Sequence, residues 1–370
     1  MNEERKKRLM RLYFKTLAIT LAVCIGLMGA GYGVFAYMVG GLNRSDINED
    51  NLSANEGIDG IINIALYGVD SRNNDYTGRS DAILICSVNG DTGKIKLVSI
   101  ARDTYVSVPG HYNTKINHAY AYGGPELAIQ TLNENFGMDV TDYVTVNFES
   151  LADIIDEMGG VMIDVTEEER FQVNAYLQRG LPLSETGMVN LTGAQAVSYS
   201  RIRKIDSDSM RASRQREVLA ALFDKALEIN PLNYPSYVRK FSPMVETSLS
   251  NDEILKIAKV GLKGSALSLE QAAFPNDYIQ SGGETINGGW YYVYDLDQAT
   301  DMLHQYIYED IPFEHYGLTE EEIRKRSHFP QDYYGQPHFM PGVEDGPVIA
   351  QLNRARCAAR EAELAAVNAF

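Results

Sequence analysis

Short apolar runs and amphipathic segments alternate along the first half of the chain. The apolar runs are brief and rich in β-branched residues, which is typical of buried strands, whereas the amphipathic segments end in glycine, which is typical of helices. The predicted strands are 61–69, 82–88, 94–101, 143–148 and 161–165, and the predicted helices are 125–137 and 150–160. This alternation predicts an α/β or α+β layered structure whose central sheet is mostly covered.

The second half carries clear helix-start signals. Thr192 and Gln195 have the spacing of a capping box, as do Ser250 and Glu253. The segment 166–187 before them is polar. A long helix is predicted from near 209 to 229, extended segments at 268–274 and 290–295, and a last helix at 295–308.

A basic head and an uncharged stretch open the chain. Residues 1–15 hold six basic and two acidic side chains, and residues 16–42 hold no charge. At about 1.5 Å of rise per residue, this stretch can cross a hydrocarbon core of about 30 Å. The charge asymmetry predicts a single-pass membrane helix with a cytoplasmic N-terminus, and a cleaved signal peptide is the alternative. A polar linker (43–60), a folded external domain (61–308) and a variable tail (309–370) are expected to follow.

Composition narrows the class of function. The formal net charge of −17 argues against a general nucleic-acid binder. Cys24, Cys86 and Cys357 are spread over the predicted span, a predicted strand and the tail, so neither a disulfide framework nor a zinc site is expected. The external domain must therefore be stabilised by its hydrophobic core, which its length allows.

Five arginines lie within 199–216 of this acidic chain. From Asp208 onward the spacing is helical, so Asp208, Arg211 and Gln215 share one side of a helix. Arg214 lies close to that side. Guanidinium groups gathered in this way repel one another unless an anion lies between them, and their planar donors suit phosphate oxygens. The stretch is either a solvated helix face or one side of an anion site.

Three more polar clusters lie where predicted strands begin or end. They are Gly68–Arg72, Gly78–Asp81 and Ser99–Thr104. In the second cluster, Arg79 and Asp81 are two residues apart and so point the same way. One such pair is usually just solvent-facing, but three clusters at neighbouring strand ends, with a fourth at a helix start, favour a shared site.

The chemistry that these clusters fit is phosphoryl transfer. Carboxylates such as Asp81 and Asp103 can hold Mg²⁺, and arginines can neutralise charge on the transferred phosphoryl group. A remaining aspartate could orient or deprotonate an attacking hydroxyl. The sequence has no Walker-type loop, and no catalytic Ser-His-Asp order stands out. His111 and His118 lie near the third cluster but not at metal-ligand spacing, so we expect them to pack or hydrogen-bond.

Several motifs resemble those of the LytR-CpsA-Psr (LCP) family. They are GRSDAILI, SIARDTYV, KINHAY at 115–120 and RxR…DxxRxxRQ, in this order behind one predicted membrane span. The resemblance is close over 61–229 and looser to 308. It implies an α/β fold: an α-β-α layered domain with a central mixed sheet flanked by helices, behind an N-terminal transmembrane helix. It also implies an extracytoplasmic phosphotransferase of Gram-positive bacteria. Such an enzyme moves a teichoic acid or capsular polysaccharide from undecaprenyl pyrophosphate to peptidoglycan.

The resemblance also implies roles for single residues, carried over by motif. Asp81 and Asp103 would hold the Mg²⁺. The residues around the pyrophosphate would be Arg79, Arg102, Arg201, Arg203, Arg211 and Arg214, with Gln215 as a polar contact. The catalytic set would be Asp70, Arg102, Asp208 and Arg211, in which the two aspartates act as base or positioning group; Arg72 is a weaker candidate. Ala101 stands where the family has proline, which loosens the turn but removes no functional group.

The resemblance leaves two questions open. The family holds the polyprenyl tail in an apolar tunnel, which the strands at 143–148 and 161–165 could line, although both could equally be ordinary core. The same residues would also serve a hydrolase that cleaves the lipid pyrophosphate without transferring the glycan. A third possible function, besides transferase and hydrolase, is that of a non-enzymatic envelope regulator or transcriptional attenuator. The predicted membrane span and the acidic domain argue against it.

Overall fold

The computed structural model describes residues 37, 40–71, 76–205, 208–230, 233–261, 267–276, 278–279, 281–286 and 288–313. The described strands are β1 (Asn43–Arg44), β2 (Ile61–Val69), β3 (Ser80–Asn89), β4 (Lys94–Ile100), β5 (Tyr105–Val106), β6 (Thr114–Lys115), β7 (Asp142–Asn147), β8 (Val161–Val165), β9 (Gly187–Leu191), β10 (Glu246–Thr247), β11 (Ser268–Phe274), β12 (Ser281–Ile286) and β13 (Gly289–Tyr294). The described α-helices are α1 (Asn117–Phe136), α2 (Phe148–Glu157), α3 (Glu167–Tyr176), α4 (Gly193–Ser200), α5 (Asp208–Glu228), α6 (Tyr234–Phe241), α7 (Asn251–Gly261) and α8 (Leu296–Tyr308).

Seven strands form one mixed sheet in the order β1-β10-β7-β2-β3-β4-β11. The central strand β2 pairs in parallel with β7 and antiparallel with β3. The strands predicted at 82–88 and 94–101 are present as the antiparallel neighbours β3 and β4, and β11 joins β4 in parallel at the edge. The mixed central sheet expected from the sequence is confirmed.

Helices cover both faces of this sheet. Because successive strand residues point to opposite sides, each strand contributes side chains to both layers. Towards α1 and α8, Ala65, Tyr67 and Val69 of β2 lie in the main hydrophobic core. Towards α2 and α5, Leu66 and Gly68 of the same strand face a cavity. The strands β8 and β9 form a separate two-stranded antiparallel sheet, and their apolar side chains pack with α2, α3 and α4 in a second core.

Most predicted helices form at the expected positions. The capping boxes at Thr192 and Ser250 are made, and they begin α4 and α7. Gly137 ends α1 with a φ of +60°, a conformation that costs glycine little. The prediction for the polar segment 166–187 was incomplete, because that segment contains α3, which opens with a capping box between Thr166 and Glu169.

The close approach of α4 to α2 depends on a single glycine. A Cβ at Gly193 would lie 1.8 Å from the carbonyl oxygen of Ala152, so no other residue fits without moving a helix. The backbone N–H of Gly193 donates to Asp156 at 2.6 Å, which fixes the start of α4 on α2. This contact places the C-terminal end of α4, and the arginines that follow it, beside the ends of the central strands.

Part of the segment predicted as a linker packs on the domain. Asn43 and Arg44 pair with β10 at the sheet edge, and Leu52 is 0% exposed in the main core. The basic head 1–15, most of the predicted span 16–42 and most of the tail 309–370 lie outside the described residues. Within the part of the chain that the structure describes, no helix has the length and apolar character needed to cross a membrane.

Candidate active site

The strand-end clusters and the arginine stretch come together in one cavity of about 490 Å³, which we call the anion cavity. Its lining includes eight of the residues singled out from the sequence: Asp70, Arg79, Asp81, Arg102, Arg201, Arg203, Arg211 and Gln215. Five of these are arginines and two are aspartates. An excess of guanidinium groups around one space favours a polyanionic ligand, since the arginines would otherwise repel one another.

Each part of this lining has a structural reason to be there. Asp70 directly follows β2, Asp81 is the second residue of β3, and Arg102 follows β4. The parallel and antiparallel pairing of these strands brings their ends to the same edge of the sheet. Arg201 is the C-cap of α4, and its guanidinium lies over the Phe148 ring at 5.1 Å.

Ion pairs connect the two aspartates that were assigned to the metal. Arg102 donates to Asp81 at 2.5 Å, and its Nε lies 3.4 Å from Asp103. Lys115 Nζ lies 2.5 Å from the other oxygen of Asp103, and Arg203 lies 3.8 Å from Asp81. Each of the two carboxylates therefore lies within ion-pair distance of two cations. Lys115 belongs to the KINHAY motif, but the sequence alone did not indicate its contact with Asp103.

Asp103 lines a different space of about 220 Å³. We call it the third cavity, because an apolar cavity between the sheet and the helices is the second. This cavity shares Asp81, Arg102, Arg211 and Gln215 with the anion cavity. The rest of its wall comes from β3, from the ends of β4 and β11, from α5 and from the β12–β13 hairpin. Among the described residues, no group of three or more His, Cys, Asp or Glu side chains could hold a metal ion.

The structure does not bring Arg214 to the anion cavity. Its Nε donates to Glu169 of α3 at 2.8 Å, with the Arg214 side chain 3% exposed, and its guanidinium faces the Tyr199 ring at 5.8 Å. Arg211 and Gln215 are four residues apart and share the helix face that lines the cavity, whereas Arg214 projects beside it towards α3. Asp208 is the first residue of α5, but its side chain and all of Arg72 lie outside the described residues.

An apolar cavity of about 190 Å³ adjoins the anion cavity. It lies between the central sheet and helices α2 and α5, and most of its lining is aliphatic: Leu66, Leu84, Val144, Val146, Leu151, Ile154, Val218, Leu219 and Leu222. Phe148, Ser200 and Gln215 line both spaces. Of the two strands considered for such a tunnel, β7 lines this cavity, whereas Val161, Ile163 and Val165 of β8 lie in the second core.

His118 lies beside the charged site as a neutral group. Burial, which is the largest cause, acts together with the nearby positive charges of Arg79 and Lys115 to lower the pKa of His118 to about 4. Its Nδ1 makes a hydrogen bond with the Thr114 hydroxyl at 2.9 Å. As expected from the sequence, this histidine hydrogen-bonds within the protein.

A cationic cavity joined to an apolar one suits an amphiphilic phosphate ester, with the charged group at the arginines and the chain between sheet and helices. The chain matches the LytR_cpsA_psr family over residues 38–307 and belongs to that family. It is accordingly an enzyme, a transferase of the LCP type.

Relatives and solved structures agree with this assignment. The teichoic acid transferase TagU of Oceanobacillus iheyensis is 35% identical over 243 residues, which cover 63% of this chain and 71% of the relative. TagU of Bacillus subtilis is 30% identical over 323 residues, covering 81% and 96%. The structure of TagT bound to LI-WTA is 26% identical, with a TM-score of 0.58 and coverage of 71% and 99%. Both TagU relatives are named polyisoprenyl-teichoic acid–peptidoglycan teichoic acid transferases.

Proposed function

We propose that this protein is a Mg²⁺-dependent phosphotransferase that moves a glycopolymer from undecaprenyl pyrophosphate to peptidoglycan at the outer face of the membrane. The observation that carries the proposal is the junction of the apolar and anion cavities at Phe148, Ser200 and Gln215. A polyprenyl pyrophosphate has an apolar chain joined directly to a polyanion, so it matches both spaces at once. The names of the TagU relatives support a teichoic acid as the glycopolymer.

In this proposal, Arg79, Arg201, Arg203 and Arg211 bind the pyrophosphate, and the first isoprene units lie against β7 and α5. A hydroxyl oxygen of the acceptor attacks the phosphorus that carries the glycan. A new P–O ester bond forms, the anhydride bond breaks, and polyprenyl phosphate leaves. The arginines stabilise the charge that develops on the transferred group and on the leaving phosphate.

The hydroxyl proton needs an acceptor among the carboxylates. Asp81 and Asp103 are occupied by ion pairs with Arg102 and Lys115. Asp70 is exposed at the mouth of the anion cavity, so we assign it as the base or as the group that positions the hydroxyl. Asp208 is the second candidate for this role from the sequence.

The donor set fits Mg²⁺, because this ion commonly takes one or two carboxylates and completes its shell with water and phosphate oxygens. Asp81 and Asp103 both line the third cavity, next to the arginines. When bound there, the ion would supply additional positive charge to the pyrophosphate. It would compete with Arg102 for the two carboxylates, since that guanidinium contacts both of them.

The proposed location follows from the first 42 residues. The basic head and uncharged stretch are proposed to anchor the chain with its N-terminus in the cytoplasm and the catalytic domain outside. Protease accessibility in intact protoplasts tests this orientation. A protected domain would contradict the proposed location and the access to peptidoglycan together.

The activity is tested with the full-length protein in detergent, a glycan-linked undecaprenyl pyrophosphate and isolated peptidoglycan. We expect a covalent glycan–peptidoglycan product, release of undecaprenyl phosphate, and loss of both on chelation with EDTA, restored by Mg²⁺. Formation of free phosphoglycan alone, at any peptidoglycan concentration, would instead identify a hydrolase. Full activity in EDTA would remove the metal from the proposal.

A further inference from the structure

The third cavity has a lining unlike that of the other two cavities. Apart from the residues it shares with the anion cavity and Asp103, its wall carries neutral groups, among them Ser99, Asn276, Ser281 and Tyr292. Hydroxyl and amide groups beside aromatic and aliphatic carbon suit a sugar ring with hydroxyl and acetamido substituents. They offer no further positive charge for a second phosphate group.

One donor in this cavity has no partner among the described residues. Asn276 Oδ1 accepts a hydrogen bond from the Tyr278 backbone N–H at 3.0 Å, which fixes the orientation of the amide. Asn276 Nδ2 is buried and has no hydrogen-bond partner within the described part of the chain. A buried amide donor without a partner is costly, so a ligand oxygen at this position would be stabilising.

The position of the cavity agrees with the direction of the reaction. Attacking and leaving oxygens lie roughly in line in phosphoryl transfer, so the acceptor must approach from a side other than that of the leaving lipid phosphate. The apolar cavity meets the anion cavity at Phe148, Ser200 and Gln215, whereas the third cavity meets it at Asp81, Arg102, Arg211 and Gln215. Gln215 therefore lines all three spaces.

The β12–β13 hairpin is fixed directly to Asp103. The Tyr292 backbone N–H donates to the carbonyl oxygen of Asp103 at 2.8 Å. The hydroxyls of Thr104 and Tyr294 lie 3.2 Å apart, and Lys115 Nζ lies 5.4 Å from the centre of the Tyr291 ring. A sugar bound against this hairpin would consequently be held at a fixed distance from the charged residues.

We infer that the third cavity is the acceptor subsite, which binds an N-acetylated amino sugar of peptidoglycan through Asn276 and the β12–β13 hairpin. The inference rests on the proposed transferase function. The neutral glycan of the lipid-linked donor has similar chemistry, and the experiment must separate the two sources.

The test compares two variants of the full-length protein with the wild type. Ser281→Phe fills the cavity, and Asn276→Ser keeps an oxygen that can accept from the Tyr278 N–H but removes the amide donor. Thr285→Phe is the matched control, because Thr285 is exposed on the same hairpin and does not line the cavity. Two rates are measured: glycan transfer to peptidoglycan, and release of undecaprenyl phosphate to water without an acceptor.

We expect Ser281→Phe to lower transfer at least about tenfold and Asn276→Ser to raise the KM for peptidoglycan about fivefold. Release to water and the KM for the donor should stay within about twofold of wild type, as should both rates for Thr285→Phe. A raised donor KM would assign the cavity to the donor glycan and overturn the inference, as would equal loss of both rates or no change. A wild type that neither transfers nor releases would contradict the proposed function itself.

Discussion

The two faces of the central sheet are built from the same strands but packed differently. On the closed face, towards α1 and α8, Ala65, Tyr67 and Val69 belong to a continuous buried core. On the open face, towards α2 and α5, Leu66 and Gly68 line the apolar cavity of about 190 Å³. Successive side chains of a single strand therefore contribute to a packed layer on one side of the sheet and to a binding space on the other.

This difference has an energetic meaning. At about 24 cal/mol per Å³, an unfilled apolar space of this size forgoes at most about 4 to 5 kcal/mol of packing energy. That amount is a substantial fraction of the stability of an ordinary domain. The closed face and the second core must supply the stability, whereas the open face keeps its apolar surface for a ligand. Substitutions on the two faces should accordingly have different effects.

The largest loss of transfer activity should come from a substitution at the charged end of the open face. Arg211 is 4% exposed and lines both the anion and third cavities. Arg211→Ala should lower kcat/KM for transfer about 10³-fold, since it removes a cation that stabilises the transferred phosphoryl group. The melting temperature should change little, because the remaining arginines then repel one another less. Arg179→Ala, at an exposed arginine beside Asp153, is the control. A large loss of stability with unchanged kinetics in the folded fraction would contradict the comparison.

The closed face should show the opposite result. Leu132 of α1 is 0% exposed in the main core, so Leu132→Ala should lower the free energy of unfolding by about 2–5 kcal/mol. The folded fraction should keep wild-type kcat. Leu219→Ala, on the open face, should cost distinctly less, because Leu219 already borders a cavity. Urea denaturation of both variants measures the difference, and equal losses would mean that the two faces are packed alike.

The sequence was informative where local pattern decides structure. Apolar periodicity predicted the central strands and α5, and capping boxes predicted the starts of α4 and α7. The strand-end clusters together with the arginine stretch predicted the gathering of Asp81, Arg102 and Arg211. What it could not give depends on tertiary packing. The direction of Arg214 depends on α3, a helix in a segment interpreted as polar, which presents Glu169 to it. Similarly, β7 and β8 are both apolar, and only the layer that covers each strand decides which one borders a cavity.

Filling the apolar cavity should convert the open face into a second closed one. Val146 of β7 is half-buried and lines this space. Val146→Trp should lower turnover of the undecaprenyl-linked donor about 10²-fold, because the added ring occupies the space proposed for the first isoprene units. Stability should be unchanged or slightly higher. A soluble donor with a short alkyl chain is the control substrate and should be affected much less. Equal loss with both donors would show that the ring disturbs the anion cavity instead.

The smallest expected effect is a change in the pKa of His118, which lies in α1 near the charges of Arg79 and Lys115. Burial is the main cause that lowers its pKa to about 4, and Arg79 contributes as a positive charge. Arg79→Gln should therefore raise the pKa of His118 only partway towards its ordinary value, as measured by NMR titration of the imidazole ring. Because the unfolded chain binds this proton more readily, the stability that neutral His118 contributes is fully present above about pH 6.5 and is lost as the pH falls towards 4. Arg79→Gln should weaken this pH dependence, whereas Arg179→Gln should leave it unchanged. An unaltered titration in Arg79→Gln would mean that the charge of the open face does not reach α1.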